Sequence, residues 1–294
     1  MDAPMTVAGP GVPEPPVTPT GFALDPPRAT KARVSMPRRA ARAMRTVLHL
    51  FEGLATTVVV FPWLSADSRR HRVRRWSSRL LRMLAVEVRM VGALHEGGNV
   101  LIVANHVSWL DIFVLNSVQP MRFIAKSELA RWPLLGRLVR DVGTLFVERS
   151  RRHDAHRVTI EAHEALASGD IVAIFPEGTT TDGTRLLPFK SSLLQPIVNA
   201  QGAVQPVAMR YRAPDGSLST AAAYAGDTTF LASFWRICGE RRIGVDVILP
   251  PALPVQRRHR RELASSAEAA IREALGLPAP GKTGSEPGKM GSEL

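Results

Sequence analysis

The chain has 294 residues, of which 45% are hydrophobic, and a formal net charge of +12. This length and composition suit one sizeable α/β domain with additional segments at both ends, and they argue against a second complete domain. The single cysteine, Cys238, excludes an intramolecular disulfide, argues against a cysteine-based metal site and fits a reducing compartment.

The chain begins with a segment that lacks the features of a folded domain. Residues 1–35 carry many of the prolines and few large apolar side chains, which predicts a disordered leader. The start also lacks the apolar core of a signal peptide. We therefore expect folded structure to begin near residue 36.

Residues 36–85 are predicted to form a two-helix hairpin that docks on a membrane. The most apolar segment, Leu48–Leu64, leads into a charge-free portion of only fourteen residues, 53–66, whereas a spanning helix needs about twenty. In the next helix, apolar side chains recur at helical spacing among arginines, which is typical of a helix lying on anionic lipid. These side chains are Val73, Trp76, Leu80 and Leu84. We predict monotopic or peripheral attachment to the cytoplasmic face of the inner membrane.

Two arginine-rich blocks carry the excess positive charge. Arg28–Arg45 and Arg69–Arg82 each contain seven basic residues and no acidic ones, and the rest of the chain is nearly balanced. Such blocks indicate an anionic partner, either a membrane or a nucleic acid, with a solvated charge run as the alternative. The neighbouring apolar segment favours lipid, so we expect an anionic membrane surface and no nucleic acid as the partner.

From residue 86 the sequence changes to short apolar runs that alternate with helical periodicity. This alternation predicts an α/β fold over residues 86–276, with a mixed, largely parallel sheet flanked by helices. The predicted strands are Val86–Val91, Val100–Ala104, Arg122–Ala125, Thr144–Val147, Ile171–Phe175, Val204–Arg210 and Ile243–Leu249. The predicted helices are 109–118, 134–140, 154–168, 191–200, 230–237 and about 259–275. The proline at 206 places its strand at an edge or a bulge, and residues 277–294 are predicted to form a disordered tail.

A histidine and a carboxylate follow the second predicted strand, five residues apart. On a continuous helix, His106 and Asp111 would point about 140° apart. With His106 on the loop and Asp111 in the first helical turn, the carboxylate can reach the imidazole and orient it as a general base. Ser108 and Asp111 also have the spacing of a helix capping box, and this stretch alone does not separate the structural interpretation from the catalytic one.

Further candidate site residues follow the later strands. Lys126 follows one predicted strand, Gly143–Arg149 spans another, and Phe175–Thr179 begins at the last residue of a third. Open α/β sheets build their sites at the carboxyl ends of strands. Singly, each of these motifs has an ordinary structural explanation, because an arginine at a strand end is usually on the surface and Pro-Glu-Gly is usually a turn.

Taken together and in order, the motifs resemble the glycerolipid acyltransferase family that includes bacterial 1-acyl-glycerol-3-phosphate acyltransferases. The motifs are Asn-His-x-Ser-x-x-Asp from Asn105, Lys-x-x-Leu from Lys126, Gly-x-x-Phe-x-x-Arg from Gly143, Phe-Pro-Glu-Gly-Thr from Phe175 and Val-x-Pro-Val from Val204. The resemblance covers about residues 86–250. It implies transfer of a fatty acyl group to the free hydroxyl of a lysophospholipid, with an acyl-carrier-protein or coenzyme A thioester as co-substrate and no other cofactor or metal.

The resemblance also assigns roles to individual residues. It implies that His106 is the general base and that Asp111 orients it. The acceptor would be bound by Lys126, Gly143, Arg149, Glu177, Gly178 and Thr179, and the site would be shaped by Asn105, Ser108 and Pro176. Ser108 as an acyl-enzyme nucleophile is the alternative mechanism.

One position departs from the family pattern. Many members follow Phe-Pro-Glu-Gly-Thr with an arginine that helps to hold phosphate, whereas this chain has Thr180. We expect 1-acyl-glycerol-3-phosphate as the acceptor, with another lysolipid such as lyso-ornithine lipid as the alternative. A non-catalytic, basic lipid- or nucleic-acid-binding protein is the rival of a different class.

Overall fold

The computed structural model describes residues 33–127, 130, 135–147 and 152–279. The predicted leader and tail therefore lie outside the described residues except for residues 33–35 and 277–279. Arg149 also lies outside them.

The described elements follow the predicted alternation of strands and helices. The helices are α1 Met36–Ala55, α2 Ala66–Met83, α3 Asp111–Val118, α4 Leu135–Asp141, α5 Arg152–Ala167, α6 Gln195–Ala200, α7 Phe230–Gly239 and α8 Arg260–Ala274. The strands are β1 Val86–Val91, β2 Val100–Ala104, β3 Arg122–Lys126, β4 Leu145–Val147, β5 Val172–Ile174, β6 Ala203–Arg212, β7 Ile243–Ile248 and β8 Leu253–Pro254. Short 3₁₀ segments precede α6 and α2. The α/β fold class predicted from the sequence is confirmed, while the short strand β8 was not predicted.

The strands form one mixed sheet in the order β1-β7-β6-β2-β5-β3-β4, with β8 paired to β6. The strands β6, β2, β5, β3 and β4 are parallel to one another. By contrast, β7 is antiparallel to β6, and β1 is parallel to β7. The carboxyl ends of the five parallel strands consequently meet at one edge of the sheet. We call it the catalytic edge, because His106, the general base expected from the family resemblance, follows β2 there.

Side chains of β2 alternate between two apolar cores, one on each face of the sheet. Ile102 and Ala104 face the core covered by α2, α3 and α7, whereas Leu101 and Val103 face the core covered by α5, α6 and α8. A strand covered on both faces has no polar side, which explains why β2 is apolar throughout. By the same alternation, His106 continues toward the face that carries α3.

The prediction that Pro206 marks an edge strand or a bulge is wrong. The strand β6 lies inside the sheet, between β2 and the pair formed by β7 and β8. Pro206 falls between the segments of β6 that pair with β8 and with β7. There the Gln205 side chain donates hydrogen bonds to the carbonyl oxygens of Pro206 and Pro250, at 3.2 Å and 2.5 Å. The proline thus occupies a gap in the ladder, where no strand requires its missing N–H.

The N-terminal helices α1 and α2 pack on each other through His49, Gly53 and Trp76. The imidazole of His49 stacks on the Trp76 indole with ring centroids 4.6 Å apart. A Cβ atom at Gly53 would lie 2.7 Å from Trp76 Nε1, so only glycine permits this approach without a shift. After α1 the helix continues through a π-helical turn and a 3₁₀ turn to Trp63.

The continuous helical segment Met36–Trp63 is long and apolar enough to cross a membrane, as judged by length and composition. One side of α1 is buried against the domain at Thr46, His49 and Gly53. The other side exposes large apolar side chains. They are Met44, Leu48 and Phe51 on α1, followed by Val58, Val59 and Trp63. Helical structure begins at residue 36, so the apolar segment from Leu48 is the second half of a longer amphipathic element.

Candidate active site

The turn between β2 and α3 brings His106 and Asp111 together. His106 lies on the loop that follows β2, and Asp111 is the first residue of α3. The Nδ1 atom of His106 is 2.8 Å from Oδ2 of Asp111. Asp111 is fully buried, whereas 19% of the His106 side chain is exposed. The carboxylate is therefore enclosed while the imidazole reaches the surface of the catalytic edge.

Four donors surround the Asp111 carboxylate. Its Oδ2 also accepts hydrogen bonds from the backbone N–H groups of Val107, at 2.8 Å, and Ser108, at 2.9 Å. Its Oδ1 accepts a bond from the Tyr211 hydroxyl at 2.6 Å. A buried carboxylate with this many donors is fixed in orientation, and its polar atoms are satisfied by hydrogen bonds.

These contacts unite the structural and catalytic interpretations of Asp111. Its bond to the Ser108 N–H is the one that the acid of a capping box makes, and the same oxygen contacts His106. The Ser108 hydroxyl is buried and accepts a hydrogen bond from the Leu110 N–H at 3.3 Å. Ser108 therefore stabilises the turn, and its hydroxyl is not placed as a nucleophile.

The Asp111 contact fixes the tautomer of His106. With Nδ1–H donating to the carboxylate, Nε2 carries the lone pair and can accept a proton. The ring stacks on Phe175, with centroids 4.0 Å apart and planes inclined by 10°. Within the described ranges, no polar atom bonds to Nε2, so this nitrogen is available to a substrate hydroxyl.

Glu177 joins the His106 turn to the loop that follows β5. Its two carboxylate oxygens accept hydrogen bonds from the backbone N–H groups of His106, at 2.8 Å, and Leu187, at 2.9 Å. The residue is only 3% exposed. Burial raises the pKa of Glu177 to about 7, against the opposing effect of the two N–H donors. Because both oxygens bond to the backbone, the geometry gives Glu177 a positioning role beside the acceptor-binding role expected from the family resemblance.

Asn105 and Pro176 also shape the catalytic edge. The Asn105 side chain donates to the Met209 carbonyl at 3.0 Å and accepts from the Met209 N–H at 2.7 Å, which extends the β2–β6 pairing by one side chain. The Pro176 carbonyl accepts from the Lys190 N–H at 3.0 Å and closes the loop after β5. Both residues therefore have contacts that suit the structural roles expected of them.

The residues after Glu177 lie against the His106 turn. Gly178 adopts a φ of +75°, and Thr179 is exposed. The Thr180 hydroxyl donates to the carbonyl of Tyr224, whose own N–H donates to the Val107 carbonyl at 2.8 Å. At the position that departs from the family pattern, the Thr180 hydroxyl therefore bonds to the backbone of the protein itself.

Two further residues predicted to bind the acceptor, Lys126 and Gly143, lie at opposite edges of the sheet. Gly143 precedes β4, at the edge of the sheet opposite His106, and the nearest atoms to a Cβ there belong to the Arg122 side chain. Lys126 ends β3 at the catalytic edge. The sheet consequently separates Gly143 from His106.

Tyr211 is a residue of this site that the sequence did not indicate. It lies on β6, is fully buried, and contacts Asp111 across 100 residues of sequence. Burial and the adjacent Asp111 charge raise the pKa of Tyr211 well above its usual value, so the phenol remains a hydrogen-bond donor. The only available signal was the general requirement that a buried tyrosine hydroxyl find a polar partner. Among the residues that the structure describes, no cluster of three or more His, Cys, Asp or Glu side chains could hold a metal ion.

The sequence of this chain is similar to those of known acyltransferases. The sequence model of the Acyltransferase family matches residues 85–210. A lyso-ornithine lipid O-acyltransferase of Pseudomonas aeruginosa is 38% identical over 257 residues, which cover 86% of this chain and 98% of that protein. The chain belongs to the acyltransferase family. The enzyme is also 38% identical over 164 residues to a 1-acyl-sn-glycerol-3-phosphate acyltransferase of Neisseria gonorrhoeae, covering 56% of this chain and 64% of that protein.

A solved structure shares the fold of this acyltransferase. The 1-acyl-sn-glycerophosphate acyltransferase PlsC from Thermotoga maritima matches with a TM-score of 0.60 and 21% sequence identity. The match covers 81% of this enzyme and 96% of that chain. At this identity, the likeness concerns the fold.

Proposed function

We propose that the enzyme transfers a fatty acyl chain from a thioester to the hydroxyl of a lysolipid by direct general-base catalysis. The observation that carries this proposal is the 2.8 Å contact between His106 Nδ1 and the buried Asp111 carboxylate. It leaves Nε2 as a proton acceptor at the surface of the catalytic edge, which is what removal of a proton from an acceptor hydroxyl requires.

The proposed reaction balances without a covalent enzyme intermediate. His106 Nε2 takes the hydroxyl proton as the acceptor oxygen attacks the thioester carbonyl. The resulting imidazolium is stabilised by Asp111 and returns the proton to the departing thiolate as the carbon–sulfur bond breaks. The products are the acylated lipid, a free thiol and the enzyme in its initial state. The donor is acyl-acyl-carrier-protein or acyl-coenzyme A.

Replacement of His106 tests the mechanism. Because general-base assistance accounts for roughly 10²–10⁴ in rate, His106→Ala is expected to lose at least about 10²-fold in kcat while remaining folded, with a stability lowered by the loss of its bond to Asp111. Ser108→Ala is the matched variant, since a buried capping hydroxyl is not needed for proton transfer. A His106→Ala enzyme with wild-type turnover, or an acyl-enzyme trapped on Ser108, would contradict the proposal.

We propose lyso-ornithine lipid as the preferred acceptor. The arrangement of Thr180 supports this choice, because its hydroxyl bonds to the Tyr224 carbonyl and offers no cation for a phosphate. An ornithine lipid carries no phosphate, so its binding requires no cation at position 180. The relative from Pseudomonas aeruginosa named for this acceptor is matched over 98% of its length. The second candidate, 1-acyl-glycerol-3-phosphate, is favoured by the Neisseria gonorrhoeae relative of the same identity.

An acceptor panel separates the two candidates. Purified enzyme would be assayed with lyso-ornithine lipid and with 1-acyl-glycerol-3-phosphate, each with both thioester donors. We expect a higher kcat/KM with lyso-ornithine lipid. The reverse order would reject this acceptor, and no transfer to any lysolipid would reject the catalytic proposal in favour of a lipid-binding protein.

We also propose that α1 and the turns after it attach the enzyme to the cytoplasmic face of the inner membrane. The exposed apolar side chains of this element support the proposal. Exposed arginines of α2 would meet anionic lipid beside them. Salt-sensitive binding to duplex DNA, without binding to anionic vesicles, would reject this proposal.

A further inference from the structure

The helix α7 lies between the membrane-facing helix α1 and the catalytic turn. On its α1 side, Arg39 Nε donates to the Trp235 carbonyl at 2.8 Å, and Arg42 donates to the carbonyl oxygens of Cys238 and Glu240 at the end of α7. On its other side, Trp109 Nε1 donates to Ser233 Oγ at 3.2 Å. These contacts attach α7 both to α1 and to the turn that carries His106.

The inner face of α7 is aromatic and packs on the catalytic turn. Trp109 lies between His106 and Asp111 in sequence. Its ring centroid is 5.2 Å from that of Phe230 and 6.4 Å from that of Phe234. The two phenylalanines also stack on each other, with centroids 6.2 Å apart. A displacement of α7 would therefore move Trp109 and, with it, the catalytic turn.

The outer face of α7 is apolar and exposed. Leu231 is 74% exposed and Trp235 is 37% exposed. They are four residues apart, so they share one face of the helix. Thr229 caps this helix by accepting a hydrogen bond from the Ala232 N–H, and the exposed face therefore belongs to a well-terminated helix.

The outer face of α7 adjoins the exposed side of α1. The guanidinium of Arg39 lies 4.3 Å from the centre of the Trp235 ring. The exposed Met36 and Ala40 flank Arg39 on α1. An indole beside an arginine suits the boundary between acyl chains and anionic headgroups, where tryptophan is enriched and arginine meets lipid phosphate.

We propose that α7 forms a second membrane contact, in which Leu231 and Trp235 enter an anionic bilayer beside α1. This inference rests on the proposed attachment of α1 to the membrane and extends the contact to the helix that supports the catalytic turn. A lysolipid in the same bilayer would then start close to His106, with Trp109, Phe230 and Phe234 providing an apolar surface between bilayer and catalytic base.

Flotation with vesicles tests the contact without requiring turnover. The full chain and its Leu231→Glu, Trp235→Glu and Ile160→Glu variants would be mixed with vesicles of phosphatidylcholine and phosphatidylglycerol. Ile160 is the matched control, because it is an apolar residue of α5 with 44% exposure that lies away from α1 and α7. We expect Leu231→Glu to reduce the bound fraction about tenfold or more, since it loses apolar burial and adds a charge, and Ile160→Glu to bind as wild type. Equal binding of Leu231→Glu and wild type would overturn the proposal.

A fluorescent label reports the environment of the outer face directly. An environment-sensitive dye would be attached at Leu231→Cys, with Ile160→Cys as control and Cys238→Ser as background. We expect a blue shift at Leu231→Cys when vesicles are added and none at Ile160→Cys. A label that stays in water overturns the proposal, as does a label already shielded without vesicles, because that face would then be covered by residues 1–32 or by a second copy of the chain.

Activity separates this inference from the proposed function. Leu231→Glu is expected to lose transfer to vesicle-embedded lysolipid while keeping transfer to the same acceptor dispersed below its aggregation concentration. Wild-type enzyme that floats with vesicles but transfers no acyl group would refute the proposed function and leave the membrane contact standing. Loss of transfer to both forms of the acceptor, with flotation unchanged, would overturn the contact.

Discussion

Replacement of Tyr211 by phenylalanine tests whether the Asp111 carboxylate depends on a buried neutral donor. The change removes one hydroxyl, which donates to Asp111 Oδ1 at 2.6 Å, and leaves the aromatic ring in the core. Asp111 Oδ2 keeps its contacts with His106, Val107 and Ser108. The perturbation is therefore confined to one oxygen of one carboxylate.

The magnitude follows from the charge and burial of the contact. A hydrogen bond to a charged group contributes about 1.5–3 kcal/mol, and both partners here are buried. We expect Tyr211→Phe to lower the free energy of unfolding by about 2 kcal/mol. The kcat is expected to fall by about tenfold, less than for His106→Ala, because the two backbone donors still orient Asp111.

The division of the effect between kcat and KM distinguishes a positioning role from a purely structural one. Without the Tyr211 hydroxyl, the Asp111 carboxylate is held less firmly and orients the His106 imidazole less well for proton transfer. The loss should consequently appear in kcat, with KM unchanged. A distortion of the acceptor-binding surface would raise KM as well.

The second tyrosine supplies the control. Tyr224 is half-buried next to the catalytic turn, and its hydroxyl bonds to no residue in the part of the chain that the structure describes. Tyr224→Phe should therefore unfold at the wild-type denaturant concentration and keep the wild-type kcat. If Tyr211→Phe behaved like Tyr224→Phe in both measurements, the assignment of Tyr211 as a positioning residue would be wrong.

Two further changes test the loop after β5 and the packing of α1. The pKa of Glu177 is raised to about 7 from 4.5, so the folded state binds more protons between these pH values and stability is lost as pH rises through about 7. Denaturation measured between pH 4 and 8 should show a decrease in the free energy of unfolding on the order of 3 kcal/mol. Glu177→Gln should remove this pH dependence. If the variant kept the same pH dependence, Glu177 would be excluded as its cause. Gly53→Ala should lower the unfolding free energy by about 1–3 kcal/mol because its Cβ would overlap Trp76. Gly98→Ala, which meets nothing within 4 Å, should be nearly neutral, and equal stability of the two variants would contradict the packing argument.

The parts of the fold that depend on local periodicity could be predicted from the sequence. The strands β1 and β2 begin and end at the predicted residues. The first alternates apolar and charged side chains up to Gly92, and the second is an apolar run between Asn99 and Asn105. The meeting of His106 and Asp111 was also predictable, since it depends only on where a strand ends and a helix begins. Local pattern is sufficient for contacts that span five residues.

Contacts between distant segments could not be predicted in this way. The bond from Tyr211 to Asp111 requires that β6 lie next to β2, and no pattern around residue 211 indicates that pairing. The position of Pro206 was misjudged for the same reason. A rule about one strand cannot reveal that two partners, β7 and β8, leave a gap opposite the proline.

Some of the arginines that the sequence assigns to an anionic partner bond to carbonyl groups within the protein. The sequence predicted that the block Arg28–Arg45 would face an anionic partner. In the structure, Arg42 donates to the carbonyl oxygens of Cys238 and Glu240 at the end of α7. In the second block, Arg74 likewise donates to the Ser117 carbonyl near the end of α3. Carbonyl groups at helix ends attract cations, so part of the charge that suggested a membrane instead holds helices together.

The carboxylate of Asp111 explains why a turn can be both structural and catalytic. This capping acid is buried and accepts two backbone N–H bonds, and these contacts hold it in one orientation. Such an acid is suited to hold a histidine in one tautomer, because Oδ2 contacts the Ser108 N–H and His106 Nδ1 together. It follows that Asp111→Asn should impair both properties in one variant: the amide replaces one of the acceptor oxygens with a donor, so either the backbone N–H groups or the Tyr211 hydroxyl must face an N–H group. Loss of stability and loss of turnover should therefore appear together in Asp111→Asn, and a variant that kept either property at the wild-type level would contradict this account.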